Sequence, residues 1–194
     1  MDSTLMVAVV VLLALVAVGA WLWSRKQQSR RLEQRFGPEY ERALHRHGDV
    51  AKAEAELRSR EKRVEKLQIV PLAPADAAHF SQAWRGLQAR FVDNPKSTLA
   101  EADQLVRELM LRRGYPMGDF EHRAADISVH HPAVVEHYRA AHAIALRDHR
   151  GEADTEDLRR AVVHYRALFD ELLEVGEPPR RDDQRAAQTM EVHH

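Results

Sequence analysis

The chain has 194 residues, with 29 Lys/Arg against 30 Asp/Glu and a formal net charge of −1. That balance gives no global electrostatic reason to bind nucleic acid. The absence of cysteine excludes disulfides, a thiol nucleophile and thiolate metal sites, and only 8 Gly and 8 Pro exclude a linker-like chain.

Residues 5–23, LMVAVVVLLALVAVGAWLW, form a run of 19 without a charge. As a helix this run extends roughly 28 Å, enough for the hydrocarbon core of a bilayer. Trp21 and Trp23 close it, as aromatic rings do at headgroup depth, and Arg25, Lys26, Arg30, Arg31 and Arg35 follow. A cleavable signal peptide would need basic residues before the apolar run, and residues 1–4 have none. The expectation is a short tail (1–4) and a single retained transmembrane helix (5–23) in the cell (inner) membrane. The basic flank places the C-terminal domain in the cytoplasm. No ionisable group lies within the run, which argues against transport. Its small residues never fall four apart, so the small-xxx-small dimer pattern is missing.

Residues 25–68 hold 13 Lys/Arg against 8 Asp/Glu, whereas residues 69–194 hold 16 against 21. Segment 24–68 therefore reads as a basic, membrane-proximal helical stalk. Gly37-Pro38 punctuates it, Pro38 suiting a first helical turn. Gly48-Asp49 reads as a stop followed by an N-cap. Beyond it, Glu54–Arg58 and Glu56–Arg60 are i,i+4 pairs in the favourable order. Leu57, Val64 and Leu67 give a thin apolar seam without a sustained heptad, which suits a solvated helix.

Ile69-Val70-Pro71-Leu72-Ala73-Pro74 marks a boundary, its prolines blocking a continuous helix. Segment 69–175 reads as a four-to-five-helix bundle and 176–194 as a disordered tail. Phe80, Trp84, Leu87 and Phe91 make one apolar stripe. Asn94-Pro95 closes that helix, and Thr98 with Glu101 reads as the capping box of the next. Leu99, Ala102, Leu105, Val106, Leu109 and Met110 continue to Arg112-Arg113 and a C-cap at Gly114. A short helix over 121–127 follows the loop Tyr115–Phe120. His131-Pro132 opens another, with Val134, Val135, Tyr138, His142 and Ala145 on one side. Thr155 is expected to cap the last helix, striped by Leu158, Ala161, Val162, Tyr165, Leu168, Phe169 and Leu172. Trp84, Phe91, Leu105, Tyr138, Tyr165 and Phe169 are expected to be buried together. The fold class is all-α, no segment alternating with period two for long enough to be a strand.

RFGPEYERALHRHGD, EKRVEKLQIVPL, LQARFVDNP, RGYPMGDFEHRAADISVHHPAVVEHYRAAHAIAL and GEADTEDLRRAVVHYRALFDELLE resemble segments of a family of uncharacterised bacterial, membrane-anchored helical proteins. The resemblance covers most of residues 34–174. It implies a bacterial source, an apolar N-terminal segment and a helical body, and it brings no cofactor and no site residue.

Twelve histidines raise the question of a metal. The densest group is His130, His131, His137, His142 and His149. His137 and His142 are five apart, not the four that puts two ligands on one helical face, and His142 reads as a histidine on an apolar stripe. Acid–base candidates are Asp119, Glu121, Asp126 and His164. Asp126 is expected to be partly buried and paired to Arg123 or Arg139. No phosphate loop, nucleophile elbow or dinucleotide fingerprint is present. No catalytic, cofactor-binding or metal residue is assigned. The function expected is a membrane-tethered helical interaction module that binds a protein partner or itself. The alternative is an enzyme or metal-binding protein using the acid/His cluster between residues 119 and 164. Tyr115, Met117, Phe120, His130 and His131 form the possible interaction surface, because this loop and helix start hold large apolar groups among glycines and prolines. Their inward folding as a cap on the bundle is the competing expectation.

Overall fold

The structure is a computed structural model that describes residues 3–174, with side chains from residue 11 onward except at position 14. The disordered tail expected at 176–194 lies outside the described residues, as do positions 1 and 2 of the short tail expected at 1–4, whose Ser3 and Thr4 instead begin α1. Among those described there are eight α-helices and no strand: α1 Ser3–Phe36, α2 Pro38–His47, α3 Val50–Val64, α4 Pro74–Arg90, α5 Pro95–Arg112, α6 Phe120–His130, α7 Pro132–His149 and α8 Thr155–Leu172. The all-α expectation holds. The transmembrane element is not shown, since no helix among the described residues is long and apolar enough to cross a membrane. The first third of the 5–23 run lies outside the residues whose side chains are described, and the remainder falls short of the ~20 residues a span requires.

The chain divides into two compact units, Met1–Val64 with Ala125–Ala133, and Glu65–Ala124 with Val134–His194. The break at 64/65 lies close to the boundary expected at 68/69, and residues 125–133 are grouped with the first unit rather than with the 69–175 segment. The first unit recruits the second half of α6, and its α2 and α3 have a buried interior of their own.

In the first unit, Gly37 and Pro38 start α2, Gly48 in the left-handed region (φ 63°) ends it, and Asp49 caps α3 by accepting from the Lys52 amide at 2.9 Å. Leu32, Phe36, Tyr40, Ala43, Ala53, Leu57 and Val64 are buried between α1, α2 and α3. The thin seam of α3 is thus the inner edge of a helical hairpin and not the side of a solvated rod.

In the second unit, α5 packs on α4 and α8. The whole α8 stripe is buried, and Trp84 stacks on Phe169 with centroids 4.6 Å apart. Tyr138 of α7 meets Tyr165 edge-on at 6.3 Å. Two of the six residues expected in the core are only half-buried. Phe91 has left the helix as the C-cap of α4, and Leu105 sits at the border of the stripe led by Ala102, Val106 and Leu109. Two helix starts also differ from expectation. Asn94 caps α5 by accepting from the Ser97 amide, leaving Thr98 to bond the Asn94 carbonyl at 2.8 Å from inside the first turn. Asp154 caps α8 in a reciprocal box with Asp157, and Thr155 is the first helical residue. In both cases an Asx side chain one to four residues earlier outcompetes the threonine, consistent with their cap preferences.

The connector from 69 to 73 is held by one arginine. The Val70 amide donates to the Arg113 carbonyl at 3.0 Å and the Leu72 amide to the Glu174 carbonyl at 3.1 Å. The buried Arg113 guanidinium donates to the Val70 carbonyl at 3.3 Å and to the Leu172 carbonyl at 3.2 Å, and pairs with Glu174 at 3.4 Å. The turn that follows requires glycine. Gly114 has φ 96°, and a Cβ there would lie 2.3 Å from the Gln68 carbonyl oxygen. Gly48 shares the positive φ but faces open space. Gly48→Ala should cost about 1 kcal/mol for its backbone alone, and Gly114→Ala clearly more, because a carbonyl must also move. Chemical unfolding of the two variants in detergent compares them, and equal losses would show that the Gln68 contact does not constrain the turn.

Candidate functional site

Helix α1 presents the largest unpartnered apolar surface among the described residues. Val11, Leu12, Leu13, Leu15, Val16, Val18, Trp21, Leu22 and Trp23 are each 52–69% exposed. Consecutive helical residues differ by ~100° in direction, so these positions sample the full circumference. Every described side chain between Val11 and Trp23 is exposed, Trp21 alone standing beside α3. A helix that is apolar all round needs a nonpolar environment on every side. Past Trp23 the pattern changes to a narrow buried edge, Leu32 and Phe36, flanked by basic residues.

The hairpin beyond it is built on buried charge. Arg60 is 1% exposed and Glu39 fully buried, joined at 2.9 Å. Arg60 also donates to Glu56 and, at 3.3 Å, to Ser128, whose own hydroxyl donates to the Ala125 carbonyl at 2.7 Å. Burial works to raise the Glu56 carboxyl, but the hydrogen bond and charge of Arg60, with His47 and Arg46, outweigh it and hold the group below its ordinary range. Asp126 is buried, as expected, yet its partner is Arg63 at 2.7 Å. Arg123 donates instead to the Tyr138 hydroxyl at 3.0 Å, and Arg139 pairs with Glu121 at 2.9 Å. The sequence paired Arg60 with Glu56 and Arg58 with Glu54, as the structure shows, but the burial of Arg60 and Glu39 was missed because both are charged. Their positions held a signal: Ala53, Leu57, Arg60 and Val64 run at spacings of 4, 3 and 4, and Glu39 adjoins Tyr40 and lies four before Ala43 on the buried edge of α2. The network is structural, every member being engaged by another. Arg60→Ala should destabilise the chain by about 3 kcal/mol, the low end for a broken buried pair because Arg42 remains on Glu39 at 3.0 Å. Denaturant unfolding measures this, and a loss under ~1 kcal/mol would mean the pair is solvated.

The five residues proposed as an interaction surface divide between the units. His130 and His131 belong to the first unit, exposed and half-buried, their rings edge-to-face at 6.3 Å. Tyr115, Met117 and Phe120 belong to the second. Tyr115 is buried, Phe120 is half-buried with its ring stacked 3.6 Å from that of His142, and Met117 is 42% exposed. Two of the loop's three large side chains thus turn inward and one outward.

In the acid/His region, Asp119 accepts from the His122 amide and ring, a local helix cap at the surface. His137 and His164 approach with their Nδ1 atoms 2.9 Å apart, a hydrogen bond that requires one ring to be neutral. His142 opens on a cleft of about 300 Å³ between α5 and α7, with Asp103, Arg107, Lys96 and Asp148 around it. Asp103 accepts from the Tyr165 hydroxyl at 2.8 Å and pairs with Arg107 at 3.1 Å; burial, with Asp103, pushes the Tyr165 hydroxyl pKa up. Among the described residues no three His, Asp or Glu side chains are grouped to hold a metal ion. Neither a family model, nor a curated protein, nor a solved structure matches the chain.

Burial is the main cause that lowers the pKa of His142, with Asp103 opposing it, and burial followed by His137 and Arg160 lowers that of His164. Both start from an ordinary value of 6.5, so below it the unfolded chain binds protons that the folded chain does not. Stability is therefore complete above that pH and falls as pH drops beneath it. Melting curves should shift down between pH 7 and pH 5, ahead of any carboxylate titration, and the double variant His142→Gln/His164→Gln should flatten the slope. An unchanged slope would place the titration elsewhere.

Proposed function

We propose that this chain is a single-pass membrane protein of the cell (inner) membrane that tethers a helical interaction module to the bilayer surface. The observation that carries the reading is the exposure of nine large apolar side chains on every side of α1 between Val11 and Trp23, continuous with the uncharged sequence from Leu5. Exposed to water, that surface would far exceed the apolar patches of ordinary soluble domains. Lipid removes the cost. The five Lys/Arg between Arg25 and Arg35 favour a cytoplasmic location for that end of the helix and for the chain beyond it. The second unit offers Met117, on a loop stiffened by Pro116, as the centre of a protein-binding surface. Interaction with a partner, or with a second copy, is the role we favour over chemistry, because Met117 stands 42% exposed on a loop whose other two large side chains turn inward. A lipid-facing α1 predicts that the full chain stays in the membrane pellet through an alkaline carbonate wash. A reporter fused after Glu174 should behave as cytoplasmic. Release by carbonate, or periplasmic reporter activity, would overturn the anchor or its orientation respectively.

A further inference from the structure

Where α1 leaves its all-round apolar stretch, α1 and α3 of the first unit flank an open cavity of about 290 Å³. Its lining is mostly polar, with two arginines against one carboxylate: Trp21, Ser24, Arg25 and Gln28 from α1, Ala51, Glu54 and Arg58 from α3. The Arg25 guanidinium lies over the Trp21 ring, 5.4 Å from its centre, and among the described residues it has no carboxylate partner. Arg58 leans on Glu54 at 3.4 Å and keeps 41% of its side chain exposed. The Glu54 carboxylate is turned inward, where it accepts from the Ser29 hydroxyl and, at 3.4 Å, from the Tyr40 hydroxyl. Its other oxygen is the one that meets Arg58, so the lining carries one net positive charge, with the Arg25 guanidinium uncommitted and a hydroxyl and an amide as further donors facing the same space. That donor set fits a tetrahedral oxyanion, for which guanidinium is the preferred side-chain partner.

Depth decides between sources of such an anion. The cavity begins at Trp21, at the end of the apolar stretch, where indole rings mark the headgroup level of a bilayer. We propose that the cavity seats the phosphodiester of a membrane phospholipid, held between Arg25 and Arg58. The proposal rests on the reading of α1 as membrane-spanning. Its consequence is that one lipid ties α3 to α1 at the membrane surface, so the hairpin is fixed by a bound headgroup as well as by its buried charges.

The test uses the full chain in mild detergent. Short-chain phosphatidylglycerol is titrated in, with binding read by native mass spectrometry, alone and against millimolar inorganic phosphate. Saturable one-to-one binding is expected, unaffected by inorganic phosphate and weakened about tenfold in Arg25→Gln/Arg58→Gln, the scale of a lost charge-assisted contact. Arg25→Gln alone removes no ion pair, so it keeps the fold and should still weaken binding several-fold. Equal binding by wild type and both variants would overturn the proposal, and so would full competition by inorganic phosphate, which would make the ligand a soluble anion. Carbonate extraction runs in parallel. Wild type that resists extraction but binds no lipid at this site defeats the headgroup proposal alone, whereas wild type that is extracted defeats the anchor and the proposal with it.

Discussion

One unbroken helix has to satisfy two environments. From Ser3 to Phe36 the backbone of α1 is continuous, with neither Pro nor a kink-forming pair to separate its halves. Between Val11 and Trp23 its described side chains are apolar and exposed; its second half buries only Leu32 and Phe36 and shows Arg and Gln elsewhere. The first unit follows from that change. A helix with so narrow a buried edge cannot form a core alone, so α2 and α3 fold back as a hairpin against it, joined by turns of two residues at most.

The hairpin solves its shortage of apolar residues with charge. Its helices are rich in Arg and Glu, and the inner positions that Leu or Ile would normally fill hold Glu39, Glu54 and Arg60. Buried pairs of this kind add little net stability, yet they penalise every arrangement that leaves one member unpaired. Ser128 and Asp126, supplied from α6, complete the set. The hairpin is therefore specified by matching donors to acceptors at fixed positions, where the second unit is specified by aromatic packing around Trp84, Tyr138, Tyr165 and Phe169.

This difference explains what was legible beforehand. The α8 stripe and the breaks at Gly48, Gly114 and Pro132 follow from periodicity and backbone chemistry, which act locally. The partnership of Asp126 with Arg63 was not readable, since it joins residues 63 apart in the chain and nothing local distinguishes Arg63 from Arg123 or Arg139. The segment from 24 to 68 looked like a solvated rod for the same reason: its buried positions are charged, and a search for apolar stripes passes over them. The loop Tyr115–Phe120 was legible in composition but not in direction, because the inward turn of Tyr115 depends on the whole bundle beneath it.

The cluster around Arg113 also bears on the order of folding. Its contacts with Val70, Leu172 and Glu174 tie together chain segments about a hundred residues apart. Closing so long a loop carries an entropic cost that the few contacts around Arg113 repay only once the helices between them have packed. This cluster is accordingly expected to close late. Interactions made after the rate-limiting step govern how fast a protein opens, not how fast it forms. Arg113 therefore acts as a latch on the second unit's lifetime, setting how often its two chain ends separate while leaving the rate of helix assembly largely untouched.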